Sequence, residues 1–441
     1  MSTRTSTARA EHQELRISEL HGSLDDPALR SMDFLNEVAE SYPTAISLAA
    51  GRPSEQFFDV DSVGEHLQTF QQYLADVRGF DHARITRTLF QYGAASGVIN
   101  DVVAKHLSID EGIEVEPADL VVTVGCQEAI FLVARALRTD DRDVLLAVAP
   151  TYVGLTGAAR LVDMPVIPVA GGPRGVDLDD LVSTVRRCRR EGNRPRACYV
   201  MPDFANPAAA SMDLDTRTDL LRMAEDEDIL LLEDNPYGHF HGGGARLPVL
   251  KAMDGERRVI YFGSFAKTVM PGARVGYVVA DQTVVNSQGK HAPLARHLAS
   301  VKSMLTVNTS PVAQGVVAGK LVSHGFSLAA ANERERSFYQ DNLRLVLSRL
   351  DERLSEHNPQ VSWNTPSGGF FVVLTVPFVA DDAELVRCAE EFGVLWTPMS
   401  HFYDSRGGER QLRISCSGVS VPDLTDGLDR LCRYVSTRVN S

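Results

Sequence analysis

Between residues 118 and 280 the chain alternates short apolar runs with amphipathic stretches, and this alternation restricts the fold more than any other feature. Runs at 120–124, 144–148, 166–169, 198–201, 229–232, 259–262 and 275–280 are short enough to read as buried strands. Stretches at 127–137, 177–190 and 214–226 carry apolar residues at helical spacing. Parallel neighbours need a crossover connection, so strands separated by helices predict an α/β domain with a mostly parallel central sheet flanked by helices.

The flanks differ. Residues 326–354 place Leu, Ala and Phe at helical spacing among many Glu and Arg, which predicts one long helix linking two lobes. Beyond it, 369–376 and 412–416 read as strands and 421–439 as a closing helix, so a smaller α+β lobe is expected. The segment from 20 to 75 is expected to pack with that lobe. The predicted division is a flexible tail at 1–19, an arm and part of the small domain at 20–75, a large domain at 76–325 and a small domain at 326–441.

A chain of 441 residues exceeds what one core usually serves, so two or three lobes are the default. Its formal charge of −14 opposes association with nucleic acid or acidic membranes. Its six cysteines are scattered, with no metal-ligand spacing. The first residues lack the apolar stretch of a secretory signal, and no window approaches the ~18 apolar residues of a membrane span. The expectation is a cytoplasmic protein with reduced thiols, no metal, and neither nucleic acid nor membrane as partner.

The most informative stretch is Gly-Ser-Phe-Ala-Lys-Thr-Val-Met-Pro-Gly-Ala-Arg-Val-Gly-Tyr at 263–277. An arbitrary lysine is a solvated surface charge. Lys267, however, follows an apolar strand, lies in a turn rich in Ser, Gly and Pro, and precedes Arg274 by seven residues. Such a turn lets an amine, a hydroxyl and a guanidinium converge on a ligand carrying both a carbonyl and a phosphate. Pyridoxal 5'-phosphate is such a ligand: its aldehyde condenses with a lysine and its phosphate seeks donors.

The pattern G-S-F-A-K-T-x-x-P-G-x-R-x-G-Y resembles the cofactor-lysine motif of class I/II aminotransferases, and the resemblance runs from about Ile46 to Leu431. It implies the fold of pyridoxal-phosphate transferases of fold type I, and it assigns residues in order. Asp234, after the run 229–232, corresponds to the aspartate that pairs with the pyridine nitrogen. A carboxylate there favours the protonated, electron-accepting ring. Tyr237 and Asn206 correspond to the pair that bonds the ring's phenolic oxygen. Gly125, Cys126 and Gln127 open a helix after a strand, an anion site by helix dipole and free N–H groups; the family holds the phosphate there with Ser264 and Arg274. Tyr152 corresponds to the ring that stacks on the cofactor. Arg413 corresponds to the arginine that grips the substrate carboxylate, aided by Gly51 and Asn206. Tyr92 matches a tyrosine that reaches the phosphate of a neighbouring subunit, which implies a homodimer with shared active sites.

Departures are visible. The usual Asn-Pro-Thr/Ser-Gly becomes Asn206-Pro207-Ala208-Ala209-Ala210, losing a glycine that permits positive φ, so the turn is expected to differ. Ile99 and Asn100 replace a usual Leu-Arg, and Cys126 a common Ser. The resemblance implies ping-pong transfer of an amino group between an α-amino acid and a 2-oxo acid, with Lys267 as aldehyde anchor and proton carrier. Wording around 21–46, 88–93 and 123–128 is most similar to the branch of lysine, 2-aminoadipate and kynurenine aminotransferases. Within it stand transaminases of peptide-antibiotic biosynthesis, such as those of 3,5-dihydroxyphenylglycine, so aryl or long-chain amino acids are the expected substrates. The alternatives are another outcome at Cα (decarboxylation, cyclisation, oxidation) and, remotely, an aminotransferase-like regulator.

Overall fold

The computed structural model describes residues 14–26, 34, 37–172, 174–244, 246–355, 359–404 and 406–440. Most of the expected tail at 1–19 lies outside them. All seven apolar runs become strands: β1 (Leu120–Val124), β2 (Asp143–Ala149), β3 (Val166–Ala170), β4 (Arg194–Val200), β5 (Leu230–Asp234), β6 (Val259–Ser264) and β7 (Val275–Val279). They form one sheet in the order β1-β7-β6-β5-β4-β2-β3. Only β7 runs antiparallel to its neighbours, β1 and β6; the other pairings are parallel.

Each parallel crossover carries a helix that buries one face on the sheet. Helix α1 (Gly125–Leu137) contributes Ile130, Leu132 and Val133 to a core shared with Leu145, Leu232 and Phe262. On the opposite face α2 (Leu178–Arg190) and α3 (Leu214–Asp226) bury Leu181, Val185 and Leu220 against Leu146 and Leu231. β4 begins at Arg194, earlier than the apolar run suggests. Arg194 and Arg196 pair with Asp143, fully buried on β2, so charged residues occupy strand positions that hydropathy alone rejects.

The expected single helix over 326–354 is interrupted. Phe326 has φ +68°, a short turn spans Leu328–Ala331, and α4 runs Glu333–Leu350 before a final turn of wider pitch. Buried Asn332 causes the break: its Nδ2 donates to the Leu328 carbonyl, so its side chain competes with the backbone ladder. The small lobe is a four-stranded antiparallel sheet of β8 (Ser362–Trp363), β9 (Phe371–Thr375), β10 (Thr397–Pro398) and β11 (Gln411–Ser415), ordered β8-β9-β11-β10, with α5 (Val421–Val439) packed on it.

The 20–75 segment divides between the lobes. Ile46–Ser47 pairs with Val394–Leu395, and Val38 and Leu48 enter the small-lobe core. The helix Asp61–Asp76 instead buries Phe70 and Leu74 with Val317 and Leu321 of the helix Pro311–Ser323 in the large lobe, not in the small lobe where the sequence placed it. Among the described residues no helix is long and apolar enough to cross a membrane.

Candidate active site

In a parallel sheet the crevice beyond the carboxyl ends of the strands is where ligands bind, at the point where chain order reverses. Here that point lies between β2 and β4, because the chain leaves β2 outward to β3 and returns across it to β4. Tyr152 follows β2, Asn206 follows β4, Asp234 ends β5, and Ser264 ends β6.

Lys267 sits in the turn between β6 and β7. The turn is closed by a bond from the Phe265 amide to the Val275 carbonyl, and Arg274 at φ +50° reverses the chain into β7. The Lys267 Nζ donates to the Gly51 carbonyl at 2.8 Å. Burial lowers its pKa to about 8, and the charges of Arg274, Arg413 and Arg52 add to the effect. An amine so poised gives up its proton far more readily than an ordinary lysine, and its neutral form is the one that attacks carbonyls and takes protons.

Asp234 is 3% exposed. The Tyr199 hydroxyl donates to its Oδ2 at 2.6 Å and the Cys126 thiol to its Oδ1 at 3.6 Å. Burial raises its pKa to about 6 against the pull of those two bonds, so it lacks a cation of its own. Burial, with a smaller push from Asp234, also holds the Tyr152 and Tyr199 hydroxyls well above their ordinary range.

Arg413 lies mid-strand in β11, opposite Val373 and Thr397. It donates to Asn206 Oδ1, to the Ala49 carbonyl at 3.0 Å and to Thr397 Oγ1 at 3.3 Å. Its guanidinium stacks over Phe371 and Phe402, 4.2 and 4.9 Å from their centroids. Its Nε is buried without a partner, and burial lowers its pKa to about 10. No carboxylate meets it among the described residues, which leaves room for one from a ligand. Gly51 is required beside it, because a Cβ there would collide with the Phe371 ring. Tyr237 is buried edge-on to Phe370 and Phe371, 5.2 and 5.6 Å between centroids, and burial holds its hydroxyl well above the ordinary range.

The helix that Gly125 opens has Gly125 at φ +70°, and a Cβ there would strike the guanidinium of Arg274. The glycine thus lets an arginine lie against a helix N-terminus, so the guanidinium charge adds to the helix dipole in attracting an anion. Gln127 is turned aside, donating to the Gly154 carbonyl at 2.6 Å. Tyr92 stands apart from this convergence, 84% exposed. Arg52 is exposed, yet near enough to weigh on Lys267.

The turn after Asn206 takes a positive φ without a glycine. Ala209 adopts φ +55° and donates to the Ala205 carbonyl at 2.5 Å, while the Ala205 amide donates to the Ala210 carbonyl at 2.9 Å. An alanine in this conformation costs about 1–2 kcal/mol. A glycine would forfeit roughly 0.5–1 kcal/mol of chain entropy and about 0.8 kcal/mol of methyl burial. The terms nearly cancel, so the glycine is dispensable.

Taken together, a buried amine, a helix N-terminus with an arginine, a carboxylate lacking a cation and an arginine lacking an anion fit the coenzyme that the resemblance implies. Tyr199 and Thr397 were not among the residues the sequence suggested. Tyr199 lies within an unremarkable apolar strand and Thr397 in a two-residue one; only pairing with Asp234 and Arg413 reveals them.

Comparisons with known proteins identify the family. The family model of aminotransferase class I and II matches residues 45–431. The chain is 53% identical over 426 residues to (S)-3,5-dihydroxyphenylglycine transaminase of Amycolatopsis orientalis, covering 97% of this chain and 96% of that protein. It is 29% identical to 2-aminoadipate transaminase of Thermus thermophilus, covering 89% and 90%. Among solved structures, kynurenine aminotransferase of Pyrococcus horikoshii in complex with PMP superposes with a TM-score of 0.80 at 27% identity, covering 94% of this chain and 96% of that one. With the family model matched over most of its length and a curated transaminase more than half identical to it, the chain belongs to the class I and II aminotransferases and is a pyridoxal-phosphate-dependent transaminase of fold type I.

Proposed function

We propose that this enzyme moves the amino group of an aryl or long-chain α-amino acid to a 2-oxo acid in two half-reactions, in amino-acid or secondary-metabolite biosynthesis. The observation that carries the assignment of residues is the buried amine of Lys267, its pKa lowered to about 8 among three arginines. The similarity to an arylglycine transaminase supports the substrate class.

Bound here, the coenzyme supplies an aldehyde and an electron-accepting ring. The amides of Gly125, Cys126 and Gln127, with Ser264 and Arg274, would hold its phosphate, and Tyr152 would pack on its ring. Asp234, steadied by Tyr199, would pair with the ring nitrogen, and a positive charge there would return its carboxyl to the ionised form. Asn206 and Tyr237 would bond the phenolic oxygen. Arg413, with Asn206 and Gly51, fixes the substrate carboxylate, so the Cα–H points to Lys267. Nζ of Lys267 would take that proton from Cα and deliver it to the coenzyme's aldehyde carbon, so that hydrolysis leaves the amino group on the coenzyme and releases a 2-oxo acid. Tyr92 completes the site of a second copy: its exposure, shared with Phe90 at 83% and Met304 at 85%, supports a homodimer. A cytoplasmic location accords with six unpaired cysteines.

The test is the visible absorbance of the coenzyme-loaded protein mixed with single amino acids. Glutamate and aryl amino acids should bleach it, with a 2-oxo acid released. Lys267→Ala should lose the band and at least ~10⁴-fold of turnover. A variant as active as the parent overturns the role of Lys267. Release of CO2 or uptake of oxygen instead of amine transfer overturns the reaction.

A further inference from the structure

A cavity of about 690 Å³ opens beyond the ends of β2, β3 and β4. Pockets of roughly 300–1,000 Å³ are the size that encloses small organic ligands. Neither Gly125, Cys126, Ser264, Lys267 nor Arg274 lines it, so it is not the seat of the phosphate. It shares Tyr152, Tyr199 and Asn206 with the active site and lies at the switch point of the sheet.

Resting on the transaminase reading, we propose that this cavity receives the substrate side chain, and that Ala208, Trp363 and Tyr403 select a hydroxylated aryl ring. Asn206 both lines the cavity and accepts a bond from Arg413, so a carboxylate held by Arg413 stands one side chain from its mouth. The small side chains of the alanines at 208–210 form one wall, and at 208 an alanine stands where the usual turn has the larger Thr or Ser. Asn364 clasps that wall, its Nδ2 donating to the Ala208 carbonyl at 2.8 Å and its Oδ1 accepting from the Val373 amide at 2.9 Å. Trp363, Tyr152 and Tyr403 offer aromatic faces for a ring to stack on. The Tyr403 hydroxyl has no hydrogen bond among the described residues, so it is free to meet a phenolic hydroxyl. The departure at 208–210, left without a role in the chemistry, thereby acquires one in specificity.

The experiment compares kcat/KM for 3-hydroxyphenylglyoxylate, phenylglyoxylate and pyruvate as amino acceptors. Ala208→Phe, which fills the wall, should lower the ratio of phenylglyoxylate to pyruvate at least ~10-fold. Tyr403→Phe, which removes one hydroxyl, should lower the ratio of hydroxylated to plain aryl acceptor about tenfold. If the parent uses aryl acceptors and both ratios stay unmoved, the cavity is not the side-chain pocket, though the transaminase reading stands. If the parent aminates pyruvate but neither aryl acid, the pocket assignment falls. If it aminates none of them with any donor, the transaminase reading falls with it.

Discussion

Lys302 and Lys267 both carry an amine withdrawn from solvent, and their surroundings are opposite. Lys302, on the helix Leu294–Leu305, is fully buried and donates to Glu128 Oε2 at 2.7 Å and to Thr306 Oγ1 at 2.8 Å. Glu128 in turn accepts from Thr306 at 2.6 Å and from the Val124 amide at 2.6 Å. Lys267 has a single carbonyl and three arginines for company. A buried charge costs free energy unless it is paired. The paired lysine is therefore structural, and the unpaired one is held ready for a ligand that brings what it lacks. The two are linked: Glu128 lies one turn into α1, and its bond to Val124 pins the chain entering the anion-binding end of that helix.

The contrast can be broken by substitution. Lys302→Met strands Glu128 as an unpaired buried charge and should cost ~3–5 kcal/mol in denaturant unfolding; a near-parental midpoint would show that the pair is not what stabilises this region. Lys267→Met should act in the other direction in the coenzyme-free protein. Because the folded pKa of Lys267 is depressed to about 8, the folded state binds fewer protons than the unfolded chain above that pH, and stability rises as pH climbs from 8 toward 10. Removing the amine should subtract roughly 2 kcal/mol from that rise; parallel pH profiles for parent and variant would mean that Lys267 is solvated.

An effect of comparable size and opposite pH dependence is expected at Asp234. Its folded pKa is raised to about 6, so the folded state holds the extra proton between pH 4 and 6 and stability falls as pH increases through that window. Asp234→Asn should abolish that fall and gain up to about 3 kcal/mol at pH 7 in the coenzyme-free protein. A loss of stability instead would show that Asp234 already has a cation.

Much of this was readable in advance. Seven strands and most of the site lie in local patterns: a strand is an apolar run, and the lysine turn is contiguous. The failures have one cause. The helix break at Asn332, the early start of β4 and the placement of Asp61–Asp76 all depend on partners distant in the chain. So does Ala209, whose positive φ the sequence appeared to forbid. Local preference yielded there to tertiary bonds on either side.

What the amino-acid order determined by itself was the α/β alternation and the chemical types gathered at strand ends, because period and turn composition act over a few residues. Only the tertiary structure decided which charges have partners, that Tyr199 serves Asp234, and that the alanines after Asn206 face an open cavity. Pairing and empty space are properties of groups that meet across the fold, such as Arg413 with Asn206, and no short stretch of chain encodes them.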